Sequence, residues 1–145
     1  MKYELTSETK MAGAVKLFRV KYIETGLLGG WIEKESNLSH YGNASVYGNA
    51  RVYGNASVSG DARVYGDARV YGDAIVSKTG DLVCVSGLQY PITVTPQNCV
   101  IGCQLKTHAE WLSVTKVKAS AMGLNKNQYQ LIKSVLEPIF AKFAK

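Results

Sequence analysis

Cysteine, histidine and long apolar runs are what this 145-residue chain has least of. Three cysteines are an odd number, so they cannot complete a disulfide framework, and a reducing cytoplasm is the expected setting. Two histidines, His40 and His108, leave little material for general-base chemistry. They also cannot supply a three-histidine metal set from one chain. No 18-residue apolar run occurs, so no membrane partner is expected, and the polar opening over residues 1–10 does not read as a targeting segment. Cys84, Cys99, Cys103 and His108 lie close together in the chain. Their spacing is not that of a zinc site, and ordinary burial of free thiols on strands explains them better. No catalytic residue, metal or cofactor is therefore expected.

The net charge of +6 is uneven. Residues 1–31 carry five basic and three acidic groups, residues 32–76 four and five, and residues 77–103 one of each. Residues 104–145 hold seven Lys against two Glu. The basic character thus belongs to the tail. Lysine without arginine or interleaved aromatics is a solvated-helix pattern, so nucleic acid is not the expected partner.

What the chain does have is a phrase of six residues, repeated five times in one register. It reads VYGNAR from Val46, VYGNAS from Val52, VSGDAR from Val58, VYGDAR from Val64 and VYGDAI from Val70, and Val76 opens a sixth. A fixed short period means that each unit meets the same environment in turn. Six is not a multiple of 3.6, and Gly with Asn or Asp in every unit opposes a helix. Valine suits an interior position, Ala50, Ala56, Ala62, Ala68 and Ala74 suit tight inner corners, and the Gly-Asn/Asp pair suits a turn.

This pattern resembles the left-handed β-helix of hexapeptide-repeat proteins. The resemblance implies three hexads per coil, so that residues 18 apart stack: Val46 on Val64, Val52 on Val70, Val58 on Val76, Tyr47 on Tyr65, Tyr53 on Tyr71 and Arg51 on Arg69. The repeat extends backward through Ile32 and Leu38, with Ser36 at the small position and two extra residues between Leu38 and Val46. Residues 28–40 (LGGWIEKESNLSH), running into YGNASV, are similar to a variety common in phages and prophages. The family resemblance also implies a homotrimer, because a short coil has open ends and little interior.

The fold class expected is mainly β: a short left-handed parallel β-helix with a small β cap and C-terminal α-helices. Residues 1–31 read as an N-terminal β cap, 32–77 as the repeat, 78–105 as a small β segment and 106–145 as a helical appendage. Residues 14–23 alternate imperfectly as a hairpin, and Gly26 with Gly29-Gly30 reads as the turn into Trp31. Residues 82–85, 92–95 and 99–103 are short strands that close the coil, separated by turn signals at Ser86-Gly87, Pro91 and 96–98. THAE at 107–110 is a capping box for a helix that stops at Gly123. A second helix follows, with an apolar stripe of Tyr129, Ile132, Val135, Leu136, Ile139, Phe140 and Phe143 against the coil or a neighbour. Pro138 should kink or divide it.

Two chemical readings compete. Hexapeptide-repeat enzymes are often acyltransferases with a histidine base beside an acyl-CoA channel. Here only His40, in the extended corner, is placed for such a role, no acid partner is fixed by sequence, and the coil is short. The other candidate is the outward set Arg51, Arg69, Tyr47, Tyr65, Tyr53 and Tyr71, since aromatic rings with guanidinium groups stack a base and pair a phosphate. Packing between subunits would use the same tyrosines. The function expected is a non-enzymatic phage or prophage protein in the host cytoplasm. Its partners would be itself, as a homotrimer, and a nucleotide immune signal or a host defence protein. An acyltransferase-like enzyme and a structural assembly protein are the alternatives.

Overall fold

Valine and alanine at fixed phase dictate the centre of the molecule. The computed structural model describes residues 1–86 and 90–143. The repeat forms six two-residue strands: β4 Ser45–Val46, β5 Arg51–Val52, β6 Ser57–Val58, β7 Arg63–Val64, β8 Arg69–Val70 and β9 Ile75–Val76. They pair in parallel as β4 with β7, β5 with β8 and β6 with β9, so the chain returns over itself at an offset of 18 residues. All six valines are at most 1% exposed and the five alanines at most 3%. Ile32 opposes Val52 and Leu38 opposes Val58, which places the two extra residues in the corner between Leu38 and Val46. Glycine is obligatory at the turns. Gly60 has φ 59°, and a Cβ there would lie 2.2 Å from the Ser77 carbonyl oxygen.

One corner departs from the expectation. Ser36 is exposed and Asn37 is the buried residue. Its carboxamide oxygen accepts from the N–H groups of Glu33 and Lys34, and its Nδ2 donates to the carbonyls of Gly54 and Ala56. A side chain that caps both the irregular turn and the rung above it holds the longer corner closed, which serine is too short to do.

Ahead of the repeat, β1 (Tyr3–Ala12) and β2 (Val15–Tyr22) form an antiparallel hairpin, and β3 (Leu28–Ile32) pairs antiparallel with β2 and parallel with β5. The result is one five-stranded sheet in the order β1-β2-β3-β5-β8. Gly26 makes the turn at φ 72°. Gly29 and Gly30 instead lie inside β3, buried. A Cβ on either would come within 2.6 Å of Val46, so their role is close approach and not turning. The Tyr22 hydroxyl donates to the Val46 carbonyl and accepts from its N–H, closing the lower edge of β4.

After the repeat, β10 (Val83–Val85), β11 (Ile92–Val94), β12 (Cys99–Ile101) and β13 (Gln104–Lys106) form an antiparallel meander. Gly87, half of one expected turn signal, lies outside the described residues. The helix expected from residue 107 is two: α1 (His108–Leu112), with its Thr107–Glu110 capping box, and α2 (Lys116–Ala121), capped by Thr115. The Thr115 hydroxyl accepts from the Lys118 N–H, so a second cap inside the segment restarts the chain. Helix α3 (Lys126–Phe143) runs through Pro138 undivided. Its Leu136 and Phe140 pack with Ile92, Val94, Ile101 and Trp111 in a second core, against the meander and not against the repeat. The side chain of Ile132 lies outside the described set. The whole is a mixed β and α fold with several sheets and C-terminal helices, and none of the four sheets closes on itself. No helix among the described residues is long and apolar enough to cross a membrane.

The upper rung ends on side chains. Arg69 N–H donates to Thr93 Oγ1, Ile75 N–H to Gln97 Oε1 and Ser77 N–H to Asp81 Oδ2, while Asn98 Nδ2 donates to the Tyr71 carbonyl. Loop polar groups thus replace the missing next strand.

Two outcomes follow from this packing. Asn37→Ala strips partners from four backbone groups, and a loss of about 3 kcal/mol is expected in urea unfolding; a change near zero would show that water replaces the carboxamide. Burial also raises Tyr22 to about 12 from 10.0 and Cys99 to about 12 from 9.0, and pushes Tyr3 up further. Each group is neutral when protonated, so the native state holds protons that the unfolded chain releases. Stability is complete below the ordinary values and falls as pH climbs from about 9 towards 12. Urea midpoints that stay flat across that interval would contradict the burial.

Candidate ligand-binding face

Because the period of a strand is two, the residues flanking each inward valine point outward, and the ladder stacks them in columns. On the five-stranded sheet Arg19 lies opposite Trp31, Trp31 opposite Arg51, and Arg51 opposite Arg69. Trp31 is 7% exposed. The Lys10 ammonium lies 5.4 Å and the Arg19 guanidinium 5.6 Å from its ring centroid. Arg19 also donates to the Gly29 carbonyl and pairs with Glu8 at 3.4 Å. Arg69 Nη1 donates to the Gly102 carbonyl at 2.9 Å.

The Arg51 guanidinium makes no hydrogen bond or ion pair among the described residues, while its backbone N–H is held by the Ala68 carbonyl. It stands one rung from Arg69, about 4.8 Å away in a parallel ladder, and like charges directly opposed repel. Beside them is a polar cleft of about 250 Å³ lined by Lys10, Asn49, Arg51, Asp67, Arg69 and Pro91. Asp67 shares the cleft but forms no ion pair with any of its three cations; among the described residues the ion pair is Arg19–Glu8, and Glu35 faces the His40 imidazole.

The tyrosines divide between two faces. Tyr53 and Tyr71 flank the same valines as Arg51 and Arg69, and their rings stack at 4.6 Å and 6°. Burial raises Tyr53, with Arg69 and Arg51 pulling the other way. Tyr71 is raised to about 12, first by burial and then by Tyr53, against Arg69. Its hydroxyl donates to the Cys103 carbonyl. Tyr47 and Tyr65 flank Val46 and Val64 on the next face, across a corner. Their backbone positions align through the Val46–Val64 pair, but the Tyr47 ring lies 5.2 Å from Tyr22, and Tyr65 is 63% exposed at a larger cleft of about 590 Å³ with Arg63 and Leu82. The arginines therefore sit with Tyr53 and Tyr71 and not with Tyr47 and Tyr65.

Sequence reasoning missed Lys10, Arg19, Trp31, Asn49 and Asp67. Trp31 was within reach, since Ile32 already aligned with Val52 and Trp31 must then underlie Arg51. Lys10 and Arg19 were not, because register shifts between Leu5 and Thr9 and between Arg19 and Lys21 set their positions.

Both histidines are engaged. His40 stacks on Tyr3 at 4.0 Å, its Nδ1 accepts from the Lys2 N–H at 3.3 Å, and its Nε2 faces Glu35 Oε1 at 3.4 Å. The accepting Nδ1 assigns the proton to Nε2. His108 stacks on Phe140 at 4.5 Å and its Nε2 donates to the Thr95 carbonyl at 2.7 Å, tying α1 and α3 to the loop that caps the repeat. Cys84 and Cys103 are exposed and Cys99 is buried. Among the described residues no group of three or more His, Cys, Asp or Glu is placed to hold a metal.

Residues 44–60 and 62–78 match the YdcK β-solenoid repeat family, so the repeat is similar to a solenoid unit over that short region. No curated protein and no solved structure matches the chain.

The two arginines should respond differently to removal. Arg69→Ala breaks the link to Gly102 and should cost about 1 to 2 kcal/mol, since the group is half-buried and charged. Arg51→Ala removes a repulsion and should be neutral or stabilising by about 0.5 kcal/mol, more at low salt. Urea unfolding at low and high salt checks both, and equal losses would show that Arg51 has a partner.

Proposed function

We propose that this protein acts by binding, and that the ligand is a small anion of nucleotide type held on the face of Arg51, Arg69, Tyr53 and Tyr71. The observation that carries this reading is the stacked arginine pair with no acid bonded to it, beside a polar cleft. A phosphate between the two guanidiniums turns a repulsion into two charge-assisted contacts. Binding is favoured over acyl transfer by His40, whose two nitrogens are both occupied and which lies apart from the arginine cleft.

In this reading the repeat winds as a short left-handed β-helix of the kind found in phage and prophage hexapeptide proteins. Three copies assemble, with the exposed Tyr41, Tyr47, Tyr65 and Ile75 supplying apolar surface for that contact. The biological role is counter-defence in the host cytoplasm, by sequestering a nucleotide immune signal. A host defence protein bound through the same tyrosines is the second form of that role.

Calorimetry with cyclic nucleotides and ADP-ribose-type ligands tests the first form. Arg51→Ala should weaken binding by about 1.5–3 kcal/mol, with the fold intact. No heat from any ligand would sink signal trapping and favour the protein target, while acyl-CoA turnover abolished by His40→Ala would sink the binding reading. Native mass spectrometry of protein from host lysate should show three subunits and a retained small molecule; a monomer would overturn the assembly.

A further inference from the structure

The arginine cleft is not purely cationic, and that decides what it selects. Lys10, Arg51 and Arg69 contribute three positive charges and Asp67 one negative. An ionised carboxylate accepts hydrogen bonds only, so it repels a phosphate and pairs with hydroxyl groups. Asn49 adds a donor and an acceptor. A net charge of +2 matches a phosphomonoester, which carries about −1.5 to −2 near pH 7.

The corner itself shows that these polar groups are uncommitted. At the equivalent corner one hexad earlier, Asn43 Nδ2 donates to Asp61 Oδ1 at 3.0 Å, 18 residues on. Asn49 and Asp67 are related by the same offset, yet no hydrogen bond joins them among the described residues. The third pair, Asn55 and Asp73, also lacks the bond, but there Leu105 and Asn98 lie over Gly72. The Asn49–Asp67 corner is thus the one where free polar groups border the arginine pair and a cleft.

Size narrows the ligand further. About 250 Å³ falls below the roughly 300–1,000 Å³ of sites that enclose a whole drug-sized ligand. Tyr53 and Tyr71 stack on one another at 4.6 Å, which leaves no gap between the rings for a base. We propose that the cleft recognises a phosphorylated polyol: Arg51, Arg69 and Lys10 take the phosphate, Asp67 and Asn49 take the hydroxyls of the sugar, and any base projects into solvent. This rests on the anion-binding reading above and specifies which part of a nucleotide is read.

Ribose 5-phosphate, adenosine 5′-monophosphate, inorganic phosphate and ribose, titrated calorimetrically into the full chain, separate the possibilities. Ribose 5-phosphate should bind about tenfold tighter than phosphate, and the monophosphate within a few-fold of it, because the base adds little. Asp67→Asn places in the repeat the residue already found at Asn49 and Asn55, so the turn is preserved. It should weaken ribose 5-phosphate by about tenfold and leave phosphate unchanged or tighter. Arg51→Gln should weaken both. Phosphate binding as well as ribose 5-phosphate, or an Asp67→Asn variant with no effect, would overturn the polyol specificity while leaving anion binding in place. Adenosine monophosphate binding far more tightly than ribose 5-phosphate would also overturn it, in favour of base recognition. No heat from any anion would overturn both readings.

Discussion

The backbone ladder that joins each outward residue to the rung above is what the rest of the structure depends on. Tyr47 N–H donates to Val64, Arg51 to Ala68, Tyr53 to Val70 and Ser57 to Ala74, in each case 17 residues on. A ladder with so regular an offset forces every side chain to sit on the side chain 18 positions later. Valine on valine fills the interior, and alanine at each corner leaves room for the bend. The same rule acts outside, where it offers no choice either. Tyrosine falls on tyrosine, asparagine on aspartate and arginine on arginine. The stacked aromatic pair is favourable, the amide–carboxylate pair is tolerable, and the guanidinium pair is unfavourable alone.

A stack of identical rungs has no internal reason to stop, so its ends must be handled by something that does not repeat. The lower end is covered by the hairpin and by single side chains. Tyr22 takes both polar groups of Val46, and the Tyr3 hydroxyl donates to the Leu38 carbonyl. The upper end is covered by Thr93, Gln97 and Asn98 from the meander, which in turn is braced by the His108 contact with Thr95 and by the second apolar core. The non-repeating two thirds of the chain are therefore built around edges that the repeat cannot satisfy itself. Within this scheme the helices stabilise the cap, and Lys142 of α3 donates to the Gly80 carbonyl in the loop that follows the repeat.

That division explains what could be read from the residues alone. The valine and alanine core, the register of 18 and the two-residue extension before Val46 were legible because periodicity fixes them without reference to distant chain. The Thr107–Glu110 cap was legible because it is local. The Asn37 corner, the buried Gly29-Gly30 approach and the Thr115 restart were not, because each depends on a long-range neighbour or on competition between two local signals. Half of the candidate site was visible for the same reason as the core: Arg51, Arg69, Tyr53 and Tyr71 follow from the repeat. Tyr47 and Tyr65 belong to the β4–β7 ladder and the arginines to the β5–β8 ladder, and a turn at Gly48 lies between them. Lys10 and Arg19 come from a bulged hairpin, whose register no pattern in the residues specifies.

The arginine column also shows why the candidate site lies where it does. Of the three parallel ladders of the repeat, only β5–β8 stacks an arginine on an arginine; Arg63 lies over Ser45, and Ile75 over Ser57. The exception extends downward to Trp31, whose ring is flanked by Lys10 and Arg19, and upward to Gly102, whose carbonyl restrains Arg69. The two ends of the column are thus fixed by neighbours, which leaves the Arg51 guanidinium as the member without a hydrogen-bond partner among the described residues. Replacing it by serine, already used at the matching position 57, would remove the repulsion without disturbing the valine beneath. Among the described residues no acid offsets the Arg51 charge against that of Arg69, and on the reading proposed above a bound anion would relieve that repulsion.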